Sequence, residues 1–117
     1  MKRIVLAAML AAGVAAPANA TGGLVCQTAG PRPISLALVI GHAAVASVVA
    51  ANLTDNGHTV VVALAQAWLE PSEVRVDLTD RNAMRHELRL RAGRNGNTYD
   101  GSLWRAGIRR WVRCREG

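Results

Sequence analysis

Val74-Arg75-Val76-Asp77-Leu78-Thr79 is followed, after a short polar break, by Arg85-His86-Glu87-Leu88-Arg89-Leu90-Arg91-Ala92. Val74, Val76 and Leu78 alternate with Arg75 and Asp77, and His86, Leu88 and Leu90 alternate with Glu87, Arg89 and Arg91. A period of two with branched and long apolar residues on one side is the signature of a half-buried antiparallel strand. Asp80-Arg81-Asn82 between the runs supplies a turn. The stretch therefore predicts a hairpin with one face in a core and one in water, the opposite charges on the wet face being placed to pair across strands.

The same punctuation recurs on either side of this hairpin. Asp55-Asn56-Gly57 and Arg94-Asn95-Gly96 both contain Asn-Gly, the pair that accepts two consecutive positive φ angles and favours a tight hairpin turn. Glu70-Pro71-Ser72 and Ala106-Gly107 are weaker turn signals. Between these breaks lie eight candidate strands: 24–28, 34–40, 43–53, 58–69, 74–79, 85–92, 98–105 and 108–115. In the earlier segments both faces are apolar. Val45, Val49 and Leu53 alternate with Ala44, Ala46, Val48 and Ala50, so residues 43–53 read as a strand covered on both sides, an alanine-lined dimer contact, or a helix ending near Asn56-Gly57. Valine favours the strand.

The amino-terminal residues stand apart from this pattern. Lys2 and Arg3, the apolar run Ile4 to Ala16, and Ala18-Asn19-Ala20 match a secretory signal peptide with its small-x-small cleavage site. Residues 1–20 are read as cleaved, leaving 21–117 as a single all-β domain, periplasmic or secreted from a bacterium, with no stable membrane span. Ile34 to Ala51 carries no formal charge, but Gly41-His42 interrupts it and its alternation is that of a strand.

The whole chain has 117 residues and a formal net charge of +6. Beyond residue 20 every basic side chain is arginine, and eleven of these twelve arginines lie between Arg75 and Arg115. An exported chain with one cysteine pair, Cys26 and Cys114, is expected to join them in a disulfide. That bridge would clip the first strand to the last and close the meander as a small barrel or compact sandwich.

Gly-x-Ser-x-Gly, His-x-x-x-His, Cys-x-x-Cys and glycine-rich phosphate loops are missing, and His42, His58 and His86 stand alone. No catalytic residue, metal ligand or cofactor is assigned, and the expectation is a non-enzymatic protein. Asn52-Leu53-Thr54 matches a glycosylation acceptor that carries no meaning in a bacterial export context.

What remains is the carboxy-terminal segment. If 108–115 is a strand, Arg109, Trp111, Arg113 and Arg115 share one face, and Arg110, Val112 and Cys114 the other. Guanidinium groups beside indoles suit carboxylate, phosphate or sugar rings. Tyr99, Trp104, Arg105, Arg109, Trp111, Arg113 and Arg115 are the candidate binding residues. An alternative role for Trp104 and Trp111 is to fill the core or a barrel mouth. An exported protein does not ordinarily meet nucleic acid, so the expected partner is an envelope anion or a periplasmic protein, with a homodimer left open.

The run Tyr99-Asp100-Gly101-Ser102-Leu103-Trp104, continued by Arg110-Trp111-Val112-Arg113-Cys114-Arg115-Glu116, resembles small exported alphaproteobacterial proteins of unknown function. Asn95-Gly96-Asn97-Thr98-Tyr99, Trp104 and Ala106-Gly107 are also similar to the Ser-Gly-x-x-Tyr, Trp and Lys-Gly elements of periplasmic C-type lysozyme inhibitors. The latter resemblance implies a disulfide-clipped antiparallel barrel and, for the hairpin, insertion into a lysozyme cleft. The inhibitors' serine and lysine are replaced here by Asn95 and Ala106.

Overall fold

A computed structural model describes residues 22–42 and 46–117. The segment read as a signal peptide lies outside them, as do residues 43–45 of the third expected strand.

Nine antiparallel strands form one curled, barrel-like sheet among the described residues. They are β1 (Gly22–Thr28), β2 (Ile34–His42), β3 (Ala46–Asp55), β4 (His58–Val60), β5 (Ala63–Glu70), β6 (Glu73–Thr79), β7 (His86–Asn95), β8 (Thr98–Arg105) and β9 (Ile108–Glu116). The order across the sheet is β4-β3-β2-β1-β9-β8-β7-β6-β5. The all-β meander thus holds, with one strand more than the sequence predicts. The expected strand 58–69 divides into β4 and β5, with Val61 and Val62 between them. The expected strand 43–53 is extended throughout its described part, and no helix forms there.

β1 pairs with β9, and Cys26 stands directly opposite Cys114. The two are joined by a disulfide, with Cα atoms 3.9 Å apart, and lie 88 positions apart in sequence. The bridge therefore staples neighbouring strands in the middle of the sheet. The break in the ladder lies elsewhere: β4 and β5 are the two edges, although they adjoin in sequence. Among the described residues it is β3, next to the β4 edge, that lies against β5 on this side. Ala51, Val60 and Val62 from one side and Leu64, Ala67 and Leu69 from the other pack on the core.

The interior is built by alternation. Leu36, Leu38, Leu53, Val76, Leu78, Leu88, Leu90, Leu103 and Val112 are fully enclosed, each such side chain being worth about 1.5–3 kcal/mol removed from water. Three register shifts re-aim the alternation, at Val39/Ile40, Leu64/Gln66 and Leu78/Thr79. In the first, Val39 faces Ala50 while Ile40 faces Val48, so Val49 is an extra residue in β3. Val48 is consequently buried and Val49 exposed, the reverse of an uninterrupted period-two reading. Bulges of this kind also increase local twist, which helps a sheet to curl.

Gly101 contributes to the same curvature. A Cβ built there would lie 2.1 Å from the Arg91 carbonyl oxygen and 2.7 Å from the Ala92 Cα. Only a residue without a side chain lets β8 approach β7 so closely.

The turns divide between expectation and correction. Asn56 and Gly57 both have positive φ (51° and 84°), as a tight Asn-Gly hairpin turn requires. In the second Asn-Gly, Asn95 pairs with Thr98 and belongs to the strand. The two-residue loop is Gly96-Asn97, with φ positive only at Gly96, the arrangement of a turn with glycine first. Ala106-Gly107 adopts two positive φ angles (53° and 76°) in spite of the alanine.

A candidate ligand-binding face

Because strands pair side by side, residues far apart in sequence line up in rows across the outside of the sheet. One row reads Arg109, Trp104, Arg89, Asp77, Gln66. The next reads Trp111, Ser102, Arg91, Arg75, Trp68. The third holds Arg113 and Asp100 opposite each other. All these positions share outward parity, and neighbouring strands bring their side chains within about 5 Å.

The three tryptophans sit on this outer surface rather than in the core, Trp111 at 54%, Trp68 at 52% and Trp104 at 36% exposure. Each is backed by a guanidinium. Arg113 lies 5.0 Å from the Trp111 ring centroid, Arg75 5.2 Å from Trp68, and Arg109 6.0 Å from Trp104. Such contacts order the rings while the guanidinium edges meet acceptors: Arg113 uses its edge on Asp100, Arg75 lies 3.4 Å from the Glu73 carboxylate, and Arg109 alone of the three meets no carboxylate among the described residues.

Carboxylates organise the face. Arg113 donates from Nε and Nη2 to both oxygens of Asp100, at 2.8 and 3.0 Å. Asn95 Nδ2 and Thr98 Oγ1 also donate to Asp100, at 2.7 and 3.2 Å. The Arg113 hydrogen bonds first, then those of Asn95 and Thr98, hold the Asp100 carboxyl far below the usual range and raise Arg113 in turn. Asp77 is pushed up by burial, but hydrogen bonds from Arg91 and Arg89 outweigh this and leave it lowered. Those contacts run from Arg89 Nε at 3.1 Å and Arg91 Nη2 at 3.3 Å.

Two arginines on the face have no carboxylate partner among the described residues. Arg109 donates to Ser102 Oγ at 2.9 Å. Arg115 makes no side-chain hydrogen bond or ion pair there.

Five of the candidate residues, Trp104, Arg109, Trp111, Arg113 and Arg115, therefore share the outer face. Tyr99 and Arg105 do not join them, because β8 presents both to the interior. Tyr99 is 8% exposed at one end of the barrel, where its ring stacks with Arg94 at 5.3 Å. Arg105 lies at the other end. Its Nε donates to Asp55 Oδ2 at 2.6 Å, and its Nη1 donates to Glu87 Oε1 at 3.0 Å and the Glu87 carbonyl at 3.1 Å. Glu87 also accepts from Arg85 at 3.1 Å. The Arg85 hydrogen bond, the largest influence, lowers Glu87; burial opposes it, and the Arg105 hydrogen bond adds to the lowering that prevails. These ionic contacts form a chord across the barrel end, from β3 to β7 and β8.

Sequence reasoning missed Trp68 and Arg75 as members of the face. The alternation of Arg75 with Val74 and Val76 points the right way, but the Leu64/Gln66 shift obscures the parity of Trp68. Asn95 and Ala106, the positions aligned with the inhibitors' motif residues, stand at opposite ends of β8. No protein-family model, curated protein or solved structure matches the chain.

Proposed function

We propose that the protein is a non-enzymatic exported domain, periplasmic or secreted, whose outer β5–β9 face binds an anionic envelope component such as a carboxylated or phosphorylated glycan. The observation that carries this reading is the pairing of exposed indoles with guanidinium groups on one face, where Arg109 and Arg115 have no carboxylate partner among the described residues. An indole supplies a stacking plane for a sugar ring and an arginine the fork that grips carboxylate or phosphate. The disulfide is compatible with an oxidising compartment. No helix among the described residues is long and apolar enough to cross a membrane.

Substitution of Arg109 and Arg115 together by glutamine, which leaves the Arg113–Asp100 pair intact, is expected to abolish retention on an immobilised envelope glycan fraction. Retention by the native protein should weaken as salt rises. Unchanged retention by the double variant overturns the proposal.

A second reading has its own support. The outward residues of β1 to β3, among them Val25, Ala37, Val39, Ala50 and Asn52, carry no charge. Such a surface suits a second copy of the chain, and sedimentation across a wide concentration range tests it: a constant monomeric mass rejects the dimer.

A further inference from the structure

The two ends of the barrel differ. One is crossed by the Arg105, Asp55 and Glu87 contacts. The other holds a cavity of about 630 Å³ lined by Leu24, Ile40, Ala46, Leu69, Pro71 and Tyr99, with Gly22 and Gly23 in its wall. Strand pairing gives Leu24, Ile40, Ala46, Leu69 and Tyr99 inward parity, so the cavity is the mouth of the barrel interior and not a crease in its outer surface. Small residues leave this space open. Gly22 lies opposite Ile40, and Ala46 occupies an inward position at the start of β3. Gly23 is held to glycine by the Leu38 carbonyl oxygen, 2.9 Å from where a Cβ would be.

A cavity of this size, apolar in its walls and set in the mouth of a barrel, matches the dimensions and chemistry of small-molecule sites. We propose that it binds a small, predominantly apolar molecule whose polar head is a hydroxyl or an amine. Head-group chemistry follows from the rim. Glu116, opposite inward-facing Leu24, brings a carboxylate to the rim, whereas Glu70 lines the cavity from a strand position whose side chain has outward parity and accepts from Ser72 Oγ at 3.2 Å. Two cations stand nearby: Arg115 has outward parity on β9, and Arg94 stacks on Tyr99, donates from Nε to the Gly96 carbonyl at 2.6 Å and from Nη1 to the Tyr99 hydroxyl at 3.3 Å. The Tyr99 hydroxyl in turn donates to the Glu70 carbonyl at 3.5 Å. A carboxylate head would meet the like charge of Glu116 at the rim, and an ammonium or hydroxyl head would find acceptors there in that carboxylate and in the Glu70 carbonyl. This site is separate from the arginine and tryptophan face and does not depend on it.

The test uses the disulfide-intact protein and the neutral fluorescent probe N-phenyl-naphthylamine, displaced in turn by dodecylamine, dodecanol and dodecanoate below their aggregation limits. Saturable binding of one probe per chain is expected, with dodecylamine and dodecanol displacing it about tenfold more effectively than dodecanoate. Ala46→Trp, at an exposed position on the mouth, should weaken probe binding by about tenfold or more by occupying the apolar volume, with circular dichroism reporting whether the fold is kept. Glu116→Gln, which leaves the walls untouched, should narrow the preference against dodecanoate. Absence of saturable binding, equal binding by a folded Ala46→Trp, or binding that appears only with dimerisation overturns the cavity as a ligand site. Equal displacement by dodecanoate overturns the head-group assignment.

Discussion

The sheet has two joints, and sequence distance ranks them the wrong way round. β1 and β9, at opposite ends of the described chain, are joined by a continuous ladder and by a disulfide at its centre. β4 and β5, separated by two residues, share no ladder, and on their side of the barrel β3 lies against β5 with apolar side chains from both packed on the core. Covalent and hydrogen-bonded closure is directional, whereas side-chain packing tolerates sliding. The β1–β9 joint should therefore be the rigid side of the molecule and the β3/β4–β5 seam the side that opens first.

The largest effect is expected from breaking the stronger joint. Closing a loop of 88 residues removes denatured-chain entropy worth about 4–5 kcal/mol, a large part of the stability of a domain this size. Cys26→Ser with Cys114→Ser should lower the denaturation midpoint accordingly, as read by urea unfolding. A loss below about 1 kcal/mol would show that the ladder alone holds the joint.

Next in size is the chord that holds the seam side in place. Arg105→Gln removes the donor shared by Asp55 and Glu87 at a site where the arginine side chain is only 15% exposed, and it should cost about 2–3 kcal/mol. Hydrogen exchange reads the two joints separately. In the native protein, amides of β5 should exchange faster than those of β1 and β9, and Arg105→Gln should widen the gap. Uniform exchange across both joints would contradict the ranking.

A smaller effect is expected from acid. Asp77, Asp100 and Glu87 all have folded-state values lowered by arginine hydrogen bonds. A lowered carboxyl stabilises the fold fully above its unfolded value, near 4, and that contribution disappears as pH falls through the lower folded value. Stability should be flat from about pH 7 to 5 and decline below about pH 4. Glu87 belongs to the chord and Asp100 to the outer face, so Arg105→Gln and Arg113→Gln should each flatten part of the decline. A decline beginning near neutrality would point to groups other than these.

The sequence carried the stapled joint better than the seam. Leu88 and Leu90 against Arg89 and Arg91 declare their faces because one side is charged, and Cys26 and Cys114 form the one cysteine pair. A bulge leaves no compositional trace, so the inversion of Val48 and Val49 emerges only from pairing. The same is true of the break at Val61-Val62, which lies inside a continuous valine run. In the candidate site, the Arg109–Arg115 alternation was legible because Val112 and Cys114 fix the inward parity. β8 was not, since Tyr99 and Trp104 put an aromatic residue on each face and only the register with β7 and β9 decides between them.

The smallest expected effect would strengthen the already stronger side. The β8–β9 turn places Ala106 at φ 53° and Gly107 at φ 76°, and a left-handed conformation costs alanine about 1 kcal/mol or somewhat more. Asparagine accepts that conformation more readily, because its short polar side chain can bond to the local backbone. Ala106→Asn should therefore stabilise the domain by about 0.5–1 kcal/mol without touching core, disulfide or arginine face. The gain should slow exchange in β8 and β9 while leaving β5 unchanged, because the seam shares no hydrogen bond with that turn. Equal protection gained in β5 would mean that the sheet opens as one unit, and the distinction between the two joints would then describe its geometry and not its stability.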